Sequence, residues 1–165
     1  MSTLDSRPTS SDEDPRYRFV YDEAVRTIDH QEETLDNLRA RAGMLLTATS
    51  VATSFLGAAA LRETEDTAPW AGIAVALFVA VGLACVALLW PRDGWRWRFG
   101  AKKLIDDYVE ASSPADLNEM YKELALYLEE NYAHNKNKME PMWTMFRAAV
   151  AFLALEVFFW LMALL

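Results

Sequence analysis

Three long runs without charged side chains constrain how this chain can fold. Residues 42–61 and 70–90 contain no charged side chain, and residues 148–165 contain only Glu156. At a rise of about 1.5 Å per residue, a helix over each run spans roughly 27 to 32 Å, close to the roughly 30 Å hydrocarbon core of a bilayer. The middle run, "GIAVALFVAVGLACVALLW", is apolar all round, whereas a helix of a soluble bundle has one apolar stripe. The sequence therefore predicts three transmembrane helices.

The remainder of the chain is polar, so the 53% of hydrophobic residues and the 24% of charged ones are segregated. The first apolar run begins at residue 42, behind an acidic stretch, which is not the position of a cleaved signal peptide. Cys85 is the single cysteine and is predicted to pack as a small hydrophobe. Residues 1–16 are rich in Ser, Thr and Asp, which predicts a disordered acidic tail.

Basic residues beside the apolar runs predict the orientation, because Lys and Arg accumulate on the cytoplasmic flanks of membrane helices. The connection between the first two runs, "RETEDTAP", has one basic residue against three acidic ones. We therefore expect a cytoplasmic N-terminus, a cytoplasmic segment 91–141 and a C-terminus outside. The basic flanks are Arg39 and Arg41, the stretch "WPRDGWRWRFGAKK" after the second run, and Lys136, Lys138 and Arg147.

The polar segment before the first run carries a helical pattern of its own. Residues 17–41 contain neither proline nor glycine and continue into residues 42–61, which predicts one long helix. Its apolar positions recur in alternating steps of three and four, as in a heptad seam. The seam consists of Tyr21, Ala24, Ile28, Gln31, Leu35, Leu38, Ala42 and Leu45.

Residues 91–141 predict a cytoplasmic helical hairpin. A helical pattern resumes after Gly100, until "ASSPADLNE" interrupts it. There, Ser113 as N-cap, Pro114 at the first helical position and Asp116 in the first turn predict the start of another helix. That helix is expected to end near Met139, and Pro141 to mark the boundary with the third membrane segment, residues 142–165. Its apolar face consists of Leu117, Tyr121, Leu124, Leu128 and Asn131.

These patterns predict an all-α membrane protein in which three transmembrane helices are continuous with a cytoplasmic three-helix stalk. Two seam positions, Gln31 and Asn131, are polar. Such positions fix register or oligomeric state, or they are simple imperfections of the seam. Small residues inside the membrane runs allow close helix approach and favour a homo-oligomer. They are Gly57 in the first run and Gly72, Ala76, Ala80 and Ala84 in the second.

The sequence predicts a protein that is not an enzyme, with no catalytic residue, cofactor, metal site or bound nucleic acid. It has no glycine-rich phosphate loop, nucleophile elbow or dinucleotide fingerprint. Its two histidines, His30 and His134, lack the spacing of zinc ligands.

Polar side chains occur at mid-membrane depth on two of the runs. Glu156 is costly there unless it is neutral, paired or facing water. The first run offers hydroxyls in "TATSVATSFLG". Two alternatives remain open: Thr53 or Ser54 hydrogen-bonds to Glu156 within the fold, or Ser50, Ser54 and Glu156 line a polar path or a subunit contact.

The basic stretch after the second run also has two interpretations. Its Lys and Arg side chains and its tryptophans suit the inner end of a membrane helix. The same groups suit a phosphate site, in which a tryptophan stacks on a base. The candidate ligand residues are Arg96, Arg98, Lys102, Lys103, Trp95 and Trp97.

Several motifs, in their order along the chain, are shared with a known group of proteins. They are "LRARAGMLLTATSVATSFLGAA", "LLWPR", "LALYLEENYAHNKNKM" and "MFRAAVAFLALEVFFWLMALL". Over about residues 20–165 the chain resembles small bacterial membrane proteins of anti-phage defence, namely the Pycsar-type transmembrane effectors and the related SLATT effectors. The resemblance implies that a partner cyclase makes a cyclic nucleotide on infection, that the cytoplasmic part responds, and that the spans then impair the inner membrane. The alternative function is a non-conducting scaffold that docks a cytosolic partner on its stalk.

The predicted orientation is testable by cysteine labelling in a Cys85→Ala background. A cysteine at Thr64 should react with a membrane-impermeant maleimide added to intact spheroplasts, whereas a cysteine at Ser112 should react only after lysis. The reverse pattern of labelling would overturn the orientation.

Overall fold

The computed structural model describes residues 14–63, 68–110 and 116–165, and these residues are helical or irregular, without a β-strand. The all-α class is therefore confirmed for the described residues. The elements are α1 (Pro15–Glu63), α2 (Ala68–Leu89), α3 (Ala101–Leu104), a π-helical turn (Ile105–Val109) and α4 (Leu117–Met162).

Three helices of the described residues, α1, α2 and α4, are long and apolar enough to cross a membrane. Most of their apolar surface faces outward, since only 17 to 22% of each apolar window is buried within the chain. Phe55 on α1, Leu83 on α2 and Phe158 on α4 are among the large exposed side chains. Apolar surface of this extent needs lipid or protein to cover it. The three predicted spans are thus confirmed as candidates, and the chain is a multi-pass membrane protein.

α1 starts earlier than the sequence predicts. The Asp14 carboxylate accepts hydrogen bonds from the Arg16 backbone N–H (3.0 Å) and from the Arg16 side chain (2.9 Å), which caps the helix. Proline is tolerated at the next position because the N–H that it lacks has no partner in the first turn. Of the predicted tail 1–16, Pro15 and Arg16 are therefore helical, and residues 1–13 lie outside the described residues.

The chain divides into two compact units, and α1 and α4 contribute residues to both. The first unit contains Met1–Glu32 and Arg96–Asn135. The second contains Glu33–Trp95 and Lys136–Leu165, and therefore all three apolar runs.

In the second unit α1 and α4 pack side by side and in parallel. Thr53 is hydrogen-bonded to Glu156, and the Trp160 ring packs so closely on Gly57 that a Cβ there would lie 3.1 Å from it. α2 completes the packing, because Trp70 stacks on Phe159 with ring centroids 5.9 Å apart. The buried cluster formed by the three helices and the turn after α4 contains Ala60, Ala71, Ala74, Trp160 and Ala163.

In the first unit α1 and α4 are parallel as well. The Tyr21 ring centroid lies 5.5 Å from that of Tyr121, and Gln31 donates a side-chain hydrogen bond to the Tyr132 carbonyl at 3.1 Å. The polar seam position Gln31 therefore ties the two helices together. Asn131 is fully buried, and its amide has no hydrogen-bond partner among the described residues. The other buried seam residues of this unit are Ile28, Leu124 and Leu128.

The predicted continuity of the second membrane helix with the cytoplasmic stalk is wrong. α2 ends at Leu89, and residues 90–100 are not helical. Pro91 disfavours a helical conformation of the residue before it. Gly94 has φ = 80°, a backbone conformation that residues other than glycine rarely adopt. A long helix continuous with α2 is replaced by an irregular connection, the short α3 and the π-helical turn.

α4 differs from its prediction at two places. Asp116 precedes the helix instead of lying in its first turn, and its carbonyl accepts the Met120 N–H at 2.9 Å. Ser113 and Pro114 lie outside the described residues. The predicted boundary at Pro141 is absent, because α4 continues through it. Pro141 is exposed and costs a single backbone hydrogen bond, while the neighbouring Met139 and Met142 are buried and hold the helix.

The small-residue stripe predicted on α2 is exposed at Gly72 and Ala76 and half-buried at Ala80 and Ala84. A Cβ on Gly72 would meet nothing within 4 Å. Helix packing uses another face of α2 instead. The buried residues on that face are Ala71, Ala74, Val81, Cys85 and Leu88.

The close contact at Gly57 predicts a position-specific cost of added volume. Gly57→Val should lower the free energy of unfolding by about 1 to 3 kcal/mol, because the branched side chain overlaps the Trp160 ring. Thermal or denaturant unfolding in detergent micelles measures the change. The matched control, Gly72→Val, should stay near the parent. Equal stability of the two variants would contradict the Gly57–Trp160 packing.

Candidate functional site

A cavity of about 380 Å³ lies in the first unit. Small-molecule sites usually have volumes of about 300 to 1,000 Å³ and apolar walls with a few polar groups. This wall is largely apolar and aromatic and includes one ion pair, Arg98 with Asp29. The lining residues are Tyr21, Val25, Ile28, Asp29, Trp97, Arg98, Phe99, Leu104 and Leu128.

The ion pair joins the irregular connection to α1. Arg98 Nη2 donates to Asp29 Oδ1 at 2.7 Å, and the two side chains are 69% and 46% exposed. This hydrogen bond raises the pKa of the Arg98 guanidinium above its ordinary value, so the group stays cationic. Because water screens an exposed pair, the pair adds little to stability. An anion can therefore replace Asp29 beside Arg98 at low cost.

The structure brings two of the six predicted ligand residues to one cavity, namely Trp97 and Arg98. Tyr21 and Phe99 add aromatic surface to the same wall. The Phe99 ring is held in place by stacking on Tyr127, with centroids 4.2 Å apart. The cavity therefore combines a cation with aromatic faces.

Arg96 is held by its backbone. Its N–H donates to Asn135 Oδ1 at 3.0 Å, and its carbonyl accepts from Asn135 Nδ2 at 2.7 Å. Its guanidinium lies 3.4 Å from Glu130. Asn135 is fully buried on α4. Its two hydrogen bonds to the Arg96 backbone, the Asn135 clamp, therefore hold the connection in place directly before Trp97 and Arg98.

Among the described side chains, Trp95 and Lys102 do not line the cavity. Trp95 belongs to the second unit, where the Lys138 ammonium lies 5.9 Å from its ring centroid and donates to the Gly94 carbonyl at 2.6 Å. Lys102 is exposed, and the side chain of Lys103 lies outside the described part of the chain.

The second candidate site lies in the membrane segments of the second unit. Glu156 is fully buried, and its Oε1 accepts a hydrogen bond from the Thr53 hydroxyl. This is the first of the two sequence-based alternatives. Ser50 and Ser54 are exposed and donate to the carbonyls of Leu46 and Ser50 on their own helix (2.9 and 2.7 Å). In a single chain they therefore do not share a site with Glu156.

Sequence reasoning missed residues of the first site. Asp29 and Arg98 are 69 positions apart, and no spacing rule predicts their pairing. Asn135 could have been found, because it lies four residues after the seam position Asn131.

Taken together, the helices define the chain as a multi-pass α-helical membrane protein. Its described residues contain no cluster of three or more His, Cys, Asp or Glu side chains able to hold a metal ion. Comparison with protein-family models, with curated proteins and with solved structures gave no match.

The Asn135 clamp predicts a local effect on the connection. Asn135→Ala should leave the Arg96 N–H and carbonyl unpaired, a loss of about 1 to 3 kcal/mol, and so open the connection about 5- to 150-fold more often. Trypsin should then cleave after Arg96 and Arg98 about 5- to 150-fold faster than in the parent, because cleavage follows the population of the open form. The control is Asn137→Ala, an exposed site two residues further on. Unchanged cleavage of the Asn135 variant would contradict the clamp.

Proposed function

We propose that this protein is a membrane effector of bacterial anti-phage defence, in which a cyclic nucleotide binds the cytoplasmic part and the membrane helices then impair the inner membrane. The observation that carries the proposal is the cavity lined by Trp97 and Arg98, since it lies in a unit built from the same two helices that enter the membrane. The resemblance of several sequence motifs to Pycsar-type effectors suggests the class of trigger.

The cavity chemistry suits an anionic aromatic ligand. A guanidinium binds a phosphate through charge-assisted hydrogen bonds, and an aromatic ring stacks on a base. Arg98 and Trp97 provide these two groups on adjacent positions of one cavity wall. Binding exchanges the Asp29 carboxylate for the ligand phosphate.

The exchange of partners at Arg98 provides a route from the ligand to the membrane. Asp29 lies on α1, so a phosphate that replaces it removes a restraint between that helix and the connection from α2. A ligand shifts a conformational equilibrium only when it binds one state more tightly than the other. Here the ion pair between Arg98 and Asp29 is intact in one state and broken in the other. α1 and α4, with their own hydrogen-bonded backbones, would carry the change into their membrane parts.

Damage to the membrane requires more than one chain in this proposal. The membrane helices of a single chain present apolar side chains outward, and Ser50 and Ser54 lie on an exposed face. A homo-oligomer can bring such faces together, and the exposed Gly72 and Ala76 on α2 allow close helix approach. The proposal retains the cytoplasmic N-terminus and the location in the inner membrane.

A second candidate function is the non-conducting scaffold, which one further observation favours. A groove of about 480 Å³ lies between α1 and α4 in the first unit. Phe19 and Leu126 on its wall are 64% and 61% exposed, and such surface is typical of a docking site for a partner helix.

Leakage of proteoliposomes distinguishes the two functions. Full-length protein in vesicles with an entrapped dye is mixed with a panel of cyclic mononucleotides and cyclic dinucleotides. The effector predicts dye release with one class of nucleotide, and Arg98→Ala should weaken binding of that nucleotide about 10- to 100-fold, since a charge-assisted hydrogen bond contributes about 1.5 to 3 kcal/mol. The scaffold predicts no release with any nucleotide.

Two control variants make this experiment specific to the cavity. Lys102→Ala removes an exposed cation near the cavity and should bind as the parent does. Asp29→Asn removes the competing carboxylate and should bind equally well or more tightly. Parent-like binding by Arg98→Ala would rule out this cavity as the sensor.

A further inference from the structure

Glu156 occupies an unusual electrostatic position in the second unit. It is fully buried on α4, and none of the three apolar runs contains a basic residue that could pair with it. The nearest basic residues in the sequence of its own helix lie at Arg147 and before. An isolated carboxylate is costly in an apolar medium, so a group in this position is neutral or bound to a cation.

The hydrogen bonding of the carboxyl group is incomplete in a particular way. Thr53 donates to Oε1, the Trp160 indole N–H interacts with the same carboxyl group, and Oε2 is buried without a hydrogen bond of standard geometry in the described part of the chain. The Thr49 hydroxyl, one turn before Thr53 on α1, is also fully buried without a partner among these residues. Buried polar atoms are rarely left unsatisfied, so the free oxygen marks a place where something binds.

The surroundings favour a proton over a metal cation. The described membrane segments contain no second carboxylate, and cation sites usually surround the ion with several oxygen ligands. One proton on Oε2 removes the whole charge and turns that oxygen into a donor. We propose that Glu156, supported by Thr53, is an intramembrane proton-binding site that is occupied at neutral pH.

The groups that face this site from each packed element introduce no competing charge. α1 contributes the hydroxyl of Thr53, and it has no ionisable side chain in residues 42–61. On α2 the single titratable side chain of residues 70–90 is the buried Cys85, and on α4 the neighbour one turn away is Trp160. The inference is independent of the nucleotide trigger proposed above.

Dicyclohexylcarbodiimide tests the protonation state directly. The reagent needs a protonated carboxyl: the carboxyl proton moves to one carbodiimide nitrogen, the carboxylate oxygen bonds to the central carbon, and the acyl group then shifts from oxygen to nitrogen to give a stable N-acylurea. An ordinary glutamate with a pKa of about 4.3 is only about 0.2% protonated at pH 7, and this fraction falls tenfold per pH unit.

The expected result is labelling of Glu156 in full-length protein in proteoliposomes, detected by peptide mass spectrometry. Its rate should change less than about twofold between about pH 6 and about pH 8, whereas the rate at an ionised carboxylate falls about tenfold per pH unit. Glu156→Gln should abolish the label, and replacement of choline chloride by sodium chloride should leave the rate unchanged. A tenfold fall per pH unit, or protection by sodium, would overturn the proposal in favour of a carboxylate or a metal cation.

Unfolding equilibria provide a second measurement that does not depend on access of the reagent. The unfolded chain exposes Glu156 to water and releases the proton, so raising the pH favours unfolding. The unfolding constant of the parent, relative to that of Glu156→Gln, should rise up to about tenfold per pH unit between about pH 6 and about pH 8. The conservative variant keeps the shape and remains neutral, so it serves as the reference. If the ratio of the two unfolding constants did not depend on pH, the carboxyl would be ionised in the folded protein, and the proposal would be wrong.

Discussion

The parallel pairing of α1 with α4 is the interaction on which the remaining structure depends. In each unit the contacts between these helices join residues of closely similar separation, 101 positions for Gln31 and Tyr132 and 103 for Thr53 and Glu156. Each unit therefore has its own defined register between the two helices. α2, the irregular connection and α3 add to a pair that is already defined, and both candidate sites lie on it.

Polar side chains fix this register because each of them has a specific partner. In the first unit the Gln31 amide donates a hydrogen bond to the Tyr132 carbonyl of α4, and in the second the Thr53 hydroxyl donates one to the Glu156 carboxyl group. A shift of one helix by one turn would keep apolar contacts of similar quality but would break both hydrogen bonds. In hydrocarbon, where water cannot replace a lost partner, the penalty for such a shift is larger than in the aqueous part.

The sequence predicted what depends on composition and periodicity. The three apolar runs follow from composition, and they form the apolar parts of α1, α2 and α4. The α1 seam from Ile28 to Ala42 follows from spacing, and its residues are helical and buried. Spacing did not reveal which face of α2 packs, because this helix is apolar all round. It also gave a helix where Pro91 and Gly94 force an irregular connection.

The sites were less predictable than the helices for a related reason. The cationic stretch suggested that its arginines form one cluster. Instead they pair with separate acidic residues distant in sequence, Arg98 with Asp29 and Arg96 with Glu130. The intramembrane pair was within reach, because depth along the helices placed Thr53 and Glu156 at one level. Which hydroxyl turns toward the carboxyl depends on helix rotation, and the closely packed Gly57 and Trp160 one turn away determine it.

The distance in sequence between the paired helices has a consequence for biogenesis. Thr53 and its partner are separated by 103 residues. At a synthesis rate of about 5 to 20 residues per second, α1 waits about 5 to 20 seconds before the matching part of α4 leaves the ribosome. During this time the buried face of α1, with its hydroxyls, has only α2 and lipid beside it. We therefore expect α1 and α2 to insert first as a helical hairpin, and α4 to pack against α1 later, within the bilayer.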